Sequence, residues 1–584
     1  MIPQNAVASA FVRRFFLIKH APHSLAATRC TQPTTLPALA ALRRFCHGDA
    51  CMRCFPSIWH ILALALALWG GEYLLRDLWE PDEARYAYVA REMRDTGNWA
   101  VPHRHGEYYA HKPPLMFWLI NAGALFTGGE INRVATRLPS LLGAVLSLWA
   151  IAGIARRWTK DPDTAWRTIL VTMTTYLFWN KGGMGQIDAL LTGFELLALY
   201  HLIAYEDDRR LWRPLLAYTS MGCAILAKGP VGFIVPFGMY IASTFAARDG
   251  TRRRFAHIAW GPLLVLLLPG AWLAWVYTHH PPPGYLQELL FKQNVGRAAG
   301  EMGHQNPFYF YLIHFPLEFL PWTPLWFCLR AAYRALPAQR PAFRRLLALI
   351  VFDVLFFSLS PSKRELYILA AYPPMALLVA MAWPTLSARA STTIVRFWTA
   401  FLGISGLAIG AIVTVDALMH LHRLPFDGTP LFVPAALAIL GAALLHQRHR
   451  TEGGRTDKIF FTLFATMFTI QIAVGTIVYA AANTLKAPYT VAAAAAQHLA
   501  PHEPLLLYRE NFEIMALYAN RPGESVDTPQ QLEKILRARG HGLFVMKASL
   551  WPELTDTVKS HALRQEFRMG HKNLAWVYVD FRGP

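Results

Sequence analysis

Charge is scarce in this sequence. Only 16% of its 584 residues are Asp, Glu, Lys or Arg, against about 25% in an ordinary soluble domain. Apolar runs recur along most of the chain, so a soluble enzyme with one anchor is excluded. Cysteine is scarce and badly placed for a disulfide framework. Cys30, Cys46, Cys51 and Cys54 precede the first apolar run, and Cys223 and Cys328 lie inside later ones. The stretch "CHGDACMRC" has no complete set of metal ligands. Internal repeats are missing, and the only low-complexity tract, "TVAAAAAQ", reads as helix. Acids are fewer than bases, 37 against 56, which leaves a net charge of +19. Nothing matches a nucleic-acid module. On a membrane protein such an excess goes with cytoplasmic loops and anionic lipid headgroups.

What is abundant is apolar and aromatic: 54% hydrophobic residues, with 19 Trp, 22 Tyr and 35 Phe. The class is an α-helical polytopic membrane protein. A span needs about 20 apolar residues. Thirteen segments qualify as expected spans: 57–75, 134–155, 165–180, 187–205, 213–227, 230–247, 257–276, 310–329, 346–360, 365–384, 397–418, 430–446 and 459–482. The shorter run 113–126 follows Pro-Pro and reads as an interfacial helix. Residues 1–51 are Arg-rich and acid-poor, as in a presequence. The tidy "MRCFPSIWHILALALALWGG" beginning at Met52 favours a mis-called start instead, with 1–51 poorly ordered.

The loops alternate in charge. "ARRWTKDPDTAWR", "EDDRRLWR", "ARDGTRRRF", "LRAAYRALPAQRPAFRR", "SARASTTIVR" and "HQRHRTEGGRTDK" hold about 22 Lys and Arg, the other set about 7. The positive-inside rule puts the first set in the cytoplasm. The long loop 77–133 is then external although it carries bases. So is the tail 485–584, where "PLLLY", "GLFVMK" and "AWVYVDF" read as strands between helical segments. The expected domains are a transmembrane body at 52–484 and a small periplasmic α/β domain at 485–584.

Every polar cluster of interest falls on the external loops. In "LWEPDEARYAYVAREM", Pro81 suits a first helical turn, and Asp82 and Glu83 suit its positive end. Capping is the ordinary explanation for such acids, with Arg85 as their companion. In "EYYAHKPPLMFW", Lys112 is held against a stiff turn and can face a phosphate, where snorkelling is the ordinary alternative. In "NKGGMGQIDALL", Asp188 enters a span, a costly place for an acid unless it is paired or wet. "AKGP" adds Lys228. "FKQNVGRAAGEMGHQNPF" adds Lys292, Arg297 and His304, and "SPSKRELYILAAYPP" adds Lys363, Arg364, Glu365 and Tyr372. Acids and cations from five loops converge on one membrane face. That suggests a cavity for an anionic, partly apolar ligand, and a sugar on a lipid-linked phosphate suits it.

"LWEPDEARYA", "YYAHKPP", "LAKGP", "FKQNVGRAAGEMGHQNPFYFYL" and "SPSKRELYILAAYPP" together resemble the lipid A aminoarabinose transferase family. That family belongs to the membrane-embedded GT-C glycosyltransferases, which include the protein O-mannosyltransferases. The resemblance runs from about residue 55 to 482. It implies a GT-C fold with about thirteen transmembrane helices and an outer α/β domain, in a bacterial inner membrane with its site facing the periplasm. It implies Asp82 and Asp188 as candidate catalytic acids. Lys112, Arg297, Tyr109 and Tyr372 are the implied binders of the undecaprenyl phosphate head, with Glu83, Arg85, Lys228 and Lys363 supporting. The expected reaction is inverting transfer of a sugar, 4-amino-4-deoxy-L-arabinose, from undecaprenyl phosphate to lipid A. The expected alternatives are a protein hydroxyl or another envelope glycan as acceptor, and, from a different class, a flippase for a lipid-linked sugar. Transporters place charges near the midplane, often in inverted repeats, and this chain does neither. No cofactor is needed by this chemistry, although a divalent metal could lie between Asp82 and Asp188. This chain has His111 where some relatives have Glu, which tells against a carboxylate ligand at that place.

Overall fold

The computed structural model describes residues 55–247, 256–296, 305–419, 428–452, 456–510, 512–569 and 572–582. The extension 1–51, Arg297 and His304 therefore lie outside the described residues. Among those described, eight helices are long and apolar enough to cross a membrane: Ile58–Leu75, Arg133–Thr159, Ile187–Asp208, His257–Thr278, Glu365–Thr385, Ala388–Leu418, Thr429–Thr451 and Asp457–Ala496. The protein is a multi-pass membrane protein. The five other segments expected to span are helical but shorter, broken or more charged. The segment at 165–180 divides at Thr175, whose backbone is extended, into Pro162–Thr174 and Tyr176–Gly183. That at 310–329 divides into Phe310–Glu318 and a 3-10 turn, Thr323–Cys328. Breaks of this kind follow from Pro316, Pro321 and Pro324, which remove backbone donors.

We number the helices used below in chain order: α1 Ile58–Leu75, α2 Asp82–Thr96, α3 Leu115–Ala124, α4 Arg133–Thr159, α5 Pro162–Thr174, α6 Tyr176–Gly183, α7 Ile187–Asp208, α8 Trp212–Lys228, α9 Val231–Ala246, α10 Gly261–Thr278, α11 Phe310–Glu318, α12 Arg340–Leu359, α13 Tyr372–Ala382, α14 Ala388–Leu418, α15 Phe432–Glu452 and α16 Thr456–Ala473. Local chemistry fixes several starts. Asn132 accepts from the backbone of Val134 and Ala135 to cap α4, and Asp161 caps α5 just before Pro162. Side-chain contacts then define two faces of the bundle. At one face the end of α1 and the starts of α2 and α4 meet through Arg76, Glu83 and Arg137. At the other, Arg157 near the end of α4 reaches Asp207 of α7 at 2.8 Å. There too Arg344 of α12 donates to the Ala246 carbonyl of α9 at 3.2 Å, and Arg167 of α5 meets Asp457 of α16 at 3.0 Å.

α4 and α7 touch backbone to backbone. A Cβ on Gly143 would lie 2.1 Å from the Ala189 carbonyl oxygen, and one on Gly193 would lie 2.6 Å from the Gly143 Cα. Small residues let membrane helices approach this closely. The contact sits one turn from Asp188 and fixes the height of that carboxylate.

Between α1 and α4 the long loop folds into α2, a two-stranded hairpin of β1 His103–Arg104 and β2 Glu107–Tyr108, and α3. α3 occupies the run expected to form an interfacial helix. The hairpin, built around Gly106 at φ 78°, was not legible in so short a stretch. The tail forms a five-stranded sheet of β3 Leu505–Tyr508, β4 Gly523–Val526, β5 His541–Lys547, β6 Ala562–Met569 and β7 Lys572–Asp580, in the order β4-β3-β5-β7-β6. β3 is parallel to β4 and β5, and β7 is antiparallel to β5 and β6. The helices Glu513–Tyr518 and Pro529–Arg539 lie where the sequence put them.

This sheet domain grips α2. Arg91 donates to the Ala516 and Arg521 carbonyls at 3.3 and 2.8 Å. The Gly523 backbone donates to the Tyr88 hydroxyl at 2.7 Å, and His105 pairs with Ser525 at 2.8 Å. Ala84, Ala87 and Met93 share one apolar core with Leu505, Ile514 and Met515. Burial of His105, with Arg104 beside it, pushes its imidazole down to about 3, so the ring is neutral at this contact.

The start of α2 is held by a buried ion network. Glu83, fully buried, accepts from Arg137 at 2.7 Å, from Arg76 at 3.1 Å and from the Gly185 backbone at 2.8 Å. Arg76 also pairs with Glu72 at 2.7 Å, and Arg137 donates to the Arg76 and Asp77 carbonyls, each at 2.7 Å. Burial alone would raise the Glu83 carboxyl, but Arg137 and Arg76 outweigh it and bring it down to about 2 from 4.5. The stability this group supplies is therefore fully present above about pH 4.5 and is lost as pH falls towards 2. Glu83→Gln keeps the volume but leaves two buried guanidiniums short of a counter-charge. It should destabilise the folded chain by about 3–5 kcal/mol, read as a lowered midpoint of thermal unfolding in detergent.

Candidate functional site

Directly beside that network, at the face where α1 ends, lies a cavity of about 220 Å³. Its wall includes Asp82, Arg85, Tyr109, His111, Lys112, Asp188, Lys228, Arg364 and Tyr367. Six of the ten expected site residues, Asp82, Arg85, Tyr109, Lys112, Asp188 and Lys228, thus meet in one place, supplied by α2, the loop before α3, the start of α7 and the end of α8.

Asp82 follows from its place in the first turn of α2. The next residue, Glu83, turns into the ion network, so Asp82 is aimed the other way. Its side chain pairs with Arg85 and accepts from Gln186 at 3.1 Å and from Arg364 at 3.4 Å. Burial raises the Asp82 carboxyl, but Arg85 and Arg364 overcome this and hold it below the usual carboxylate range. Asp82 is an anion at neutral pH. Asp188 pairs with Lys228, whose ammonium also lies 4.2 Å from the centre of the Tyr367 ring. Tyr109 is buried, stacks at an angle on His111 at 4.9 Å, and has its hydroxyl raised by that burial. His111 faces Glu288 at 3.6 Å.

Three expected residues are not brought together here. Glu83 is structural, as described. Tyr372 is wholly buried in α13, packs against Phe315 and Phe319, and donates to Glu318 at 3.2 Å. The ammonium of Lys363 turns away, donating to the carbonyls of Asn306 at 3.1 Å and of Ser360. Arg297 lies outside the described residues, and Lys292 is exposed away from the cavity wall. In their stead the structure brings in Arg364, Gln186 and Tyr367. Arg364 sits next to Lys363 in sequence, and only the direction taken by the extended backbone at 364 separates the two.

Each carboxylate is already claimed by cations, and the described residues hold no group of three His, Cys, Asp or Glu side chains arranged for an ion. Two carboxylates among four cations, Arg85, Lys112, Lys228 and Arg364, instead leave a positive surplus, the arrangement that receives a phosphate.

Three comparisons bear on the family and the fold. The family model for dolichyl-phosphate-mannose-protein mannosyltransferases matches residues 111–275. The chain is 30% identical over 335 residues to the undecaprenyl phosphate-alpha-4-amino-4-deoxy-L-arabinose arabinosyl transferase of Edwardsiella ictaluri, covering 55% of this chain and 58% of that one. It is 30% identical over 394 residues to the transferase of the same name from Shewanella sediminis, covering 63% and 66%. These alignments leave a third or more of each relative's length unmatched. A crystal structure of ArnT from Cupriavidus metallidurans bound to undecaprenyl phosphate superposes with a TM-score of 0.74 at 21% identity, covering 90% of this chain and 98% of the other. The fold is therefore that of the membrane-embedded GT-C glycosyltransferases. Within that class the chain is similar, over the aligned part, to the lipid A aminoarabinose transferases.

Because Tyr372 lies behind the cavity wall, Tyr372→Phe should lose one hydrogen bond, about 1 kcal/mol of stability. Activity should stay within about twofold of the parent, with stability read by thermal unfolding and rate by product formation.

Proposed function

We propose that this protein transfers a sugar, 4-amino-4-deoxy-L-arabinose, from undecaprenyl phosphate to lipid A, at the periplasmic face of a bacterial inner membrane. The observation that carries the reading is the meeting in one cavity of an ionised, buried Asp82, paired with Arg85 and Arg364, and two further cations, Lys112 and Lys228. The relatives' names supply the donor and the sugar, and the low Lys and Arg content of the loops on that face supports the sidedness.

The acceptor oxygen attacks the anomeric carbon from the side opposite the phosphate. The bond from that carbon to the phosphate oxygen breaks, its electron pair leaves with undecaprenyl phosphate, and the configuration inverts. Arg364, Arg85 and Lys112 stabilise charge growing on the departing phosphate. An arginine presents a planar fork that can do this with two bonds. Asp82, held low by its guanidinium partners, is a poor proton acceptor, because a general base works best with a pKa near the working pH. It is better suited to hold the cationic amine of the sugar and to offset positive charge at the anomeric carbon. A phosphate on lipid A arrives already ionised and needs no base. Lys228, fixed by Asp188 and Tyr367, lines the acceptor side.

The test is a mass spectrum of lipid A from cells with and without the gene. Loss of the aminopentose increment, restored by the parent gene and not by Asp82→Asn, is the expected result. Unchanged lipid A together with an altered protein glycan or polysaccharide would assign the other acceptor. In a purified assay Asp82→Asn should lower kcat by about 10²–10³ with thermal unfolding little changed. Arg364→Ala should raise KM for the donor as well as lower kcat.

A further inference from the structure

A second cavity, about 410 Å³, opens between α14 and α15 at the face of the bundle remote from Asp82. The two helices are antiparallel and closest near Gly406, where an added Cβ would lie 2.7 Å from the Ala435 carbonyl oxygen. Towards the start of α14 and the end of α15 they leave room. That end lies on the face where Arg157 meets Asp207, because α13 runs inward from the Asp82 cavity and the chain turns at Trp383–Thr385 before α14 begins. The space is lined by Arg396 and Thr399 of α14 and by His446, His449 and Arg450 of α15.

Three features mark it as a site for an anion. Its charged lining is wholly basic. Among the described residues neither Arg396 nor Arg450 has an ion-pair partner, whereas Arg157, Arg167 and Arg345 of the same face each have one. Two polar atoms that are shut from solvent, the Thr399 hydroxyl oxygen and Nδ1 of His449, have no hydrogen-bond partner, a costly state that a ligand would relieve. Both helices cross the membrane, and elsewhere on them Phe397, Phe401 and Leu444 are 44%, 43% and 41% exposed.

We propose that this cavity binds an anionic phosphate group, the chemistry shared by the headgroup of an acidic phospholipid and by free inorganic phosphate. Arg396 and Arg450 supply the charge, and Thr399 and His449 complete the hydrogen bonds. The place of the cavity between two membrane-crossing helices favours the lipid. Basic pockets between membrane helices recognise headgroups in this way. The site is independent of the reaction proposed above, since it shares no residue with the Asp82 cavity.

The full chain, purified and reconstituted in nanodiscs, provides the test. Thermal unfolding is followed in phosphatidylcholine alone, with a fifth of the lipid replaced by phosphatidylglycerol, and in phosphatidylcholine with millimolar inorganic phosphate. The midpoint should rise with phosphatidylglycerol, and the rise should fall by at least half in an Arg396→Gln, Arg450→Gln double variant while Arg330→Gln keeps it. A rise with phosphatidylglycerol only assigns a lipid, and an equal rise with inorganic phosphate assigns the free anion. No rise with either, or an undiminished rise in the double variant, overturns the proposal. Should the double variant not fold, Thr399→Val and native mass spectrometry of retained lipid give the same reading. Parent protein that retains acidic phospholipid no better than Thr399→Val would overturn it.

Discussion

The contact on which the rest of the site depends is the buried pairing of Glu83 with Arg137 and Arg76. Taking such charges out of water costs several kcal/mol per ion, and their attraction returns that only with good geometry and further hydrogen bonds. Here both conditions hold: the carboxylate also accepts from the backbone of Gly185 and Trp79, and Arg137 donates to three backbone carbonyls. What the network secures is position. It ties the first turn of α2 to the end of α1, the start of α4 and the glycine-rich entry to α7. Asp82 is the neighbouring residue, so its direction follows from Glu83. The sheet domain holds the same helix from its other side through Arg91 and Tyr88.

The second carboxylate reaches the cavity by a different route. Asp188 stands at the first turn of α7, and α7 is set against α4 by the contact of Gly143 with Ala189 and Gly193. An aspartate at the end of a membrane helix is costly when alone. Lys228, arriving from α8, neutralises it and stays in the wall. Each acid is thus accompanied by a base of greater reach, and the cavity keeps a positive surplus although it contains two anions.

Much of this was legible in the residues. Acids and cations set at loop ends could be read from the apolar runs around them, and Asp82, Lys112, Asp188 and Lys228 do converge. The limit was side-chain direction. Glu83 and Asp82 are equivalent by composition and by position in the first turn, and only the buried guanidiniums opposite tell them apart. Lys363 and Arg364 are likewise neighbours, and a one-residue difference in backbone direction sends one to carbonyls and the other to Asp82. Tyr372 lies in a run dense with aromatic and proline residues, where a buried tyrosine and a ligand-facing one look alike. In the tail, β3, β5 and β7 announce themselves by continuous apolar runs. β4 and β6 do not, since "GESV" and "ALRQEFRM" are edge strands with exposed polar positions, and the alternation is too short or too charged to be distinctive.

The electrostatics of Asp82 bear on what kind of nucleophile the cavity can use. A carboxylate between two guanidiniums is stabilised as an anion, and the same pairing weakens it as a proton acceptor. On the proposed reading the attacking oxygen must then be charged before it arrives, as a phosphate oxygen is and an alcohol is not. A hydroxyl acceptor would require a second base: Asp188 is bound to Lys228, which leaves His111, facing Glu288, as the remaining candidate in the wall. The surplus of cations argues in the same direction. On the proposed reading it would receive both phosphates, that of the departing carrier and that of the acceptor, and lower the repulsion that two anions would otherwise meet on closing to bonding distance. On the proposed reading, the acceptor this cavity can use is set by how strongly Asp82 is tied to Arg85 and Arg364.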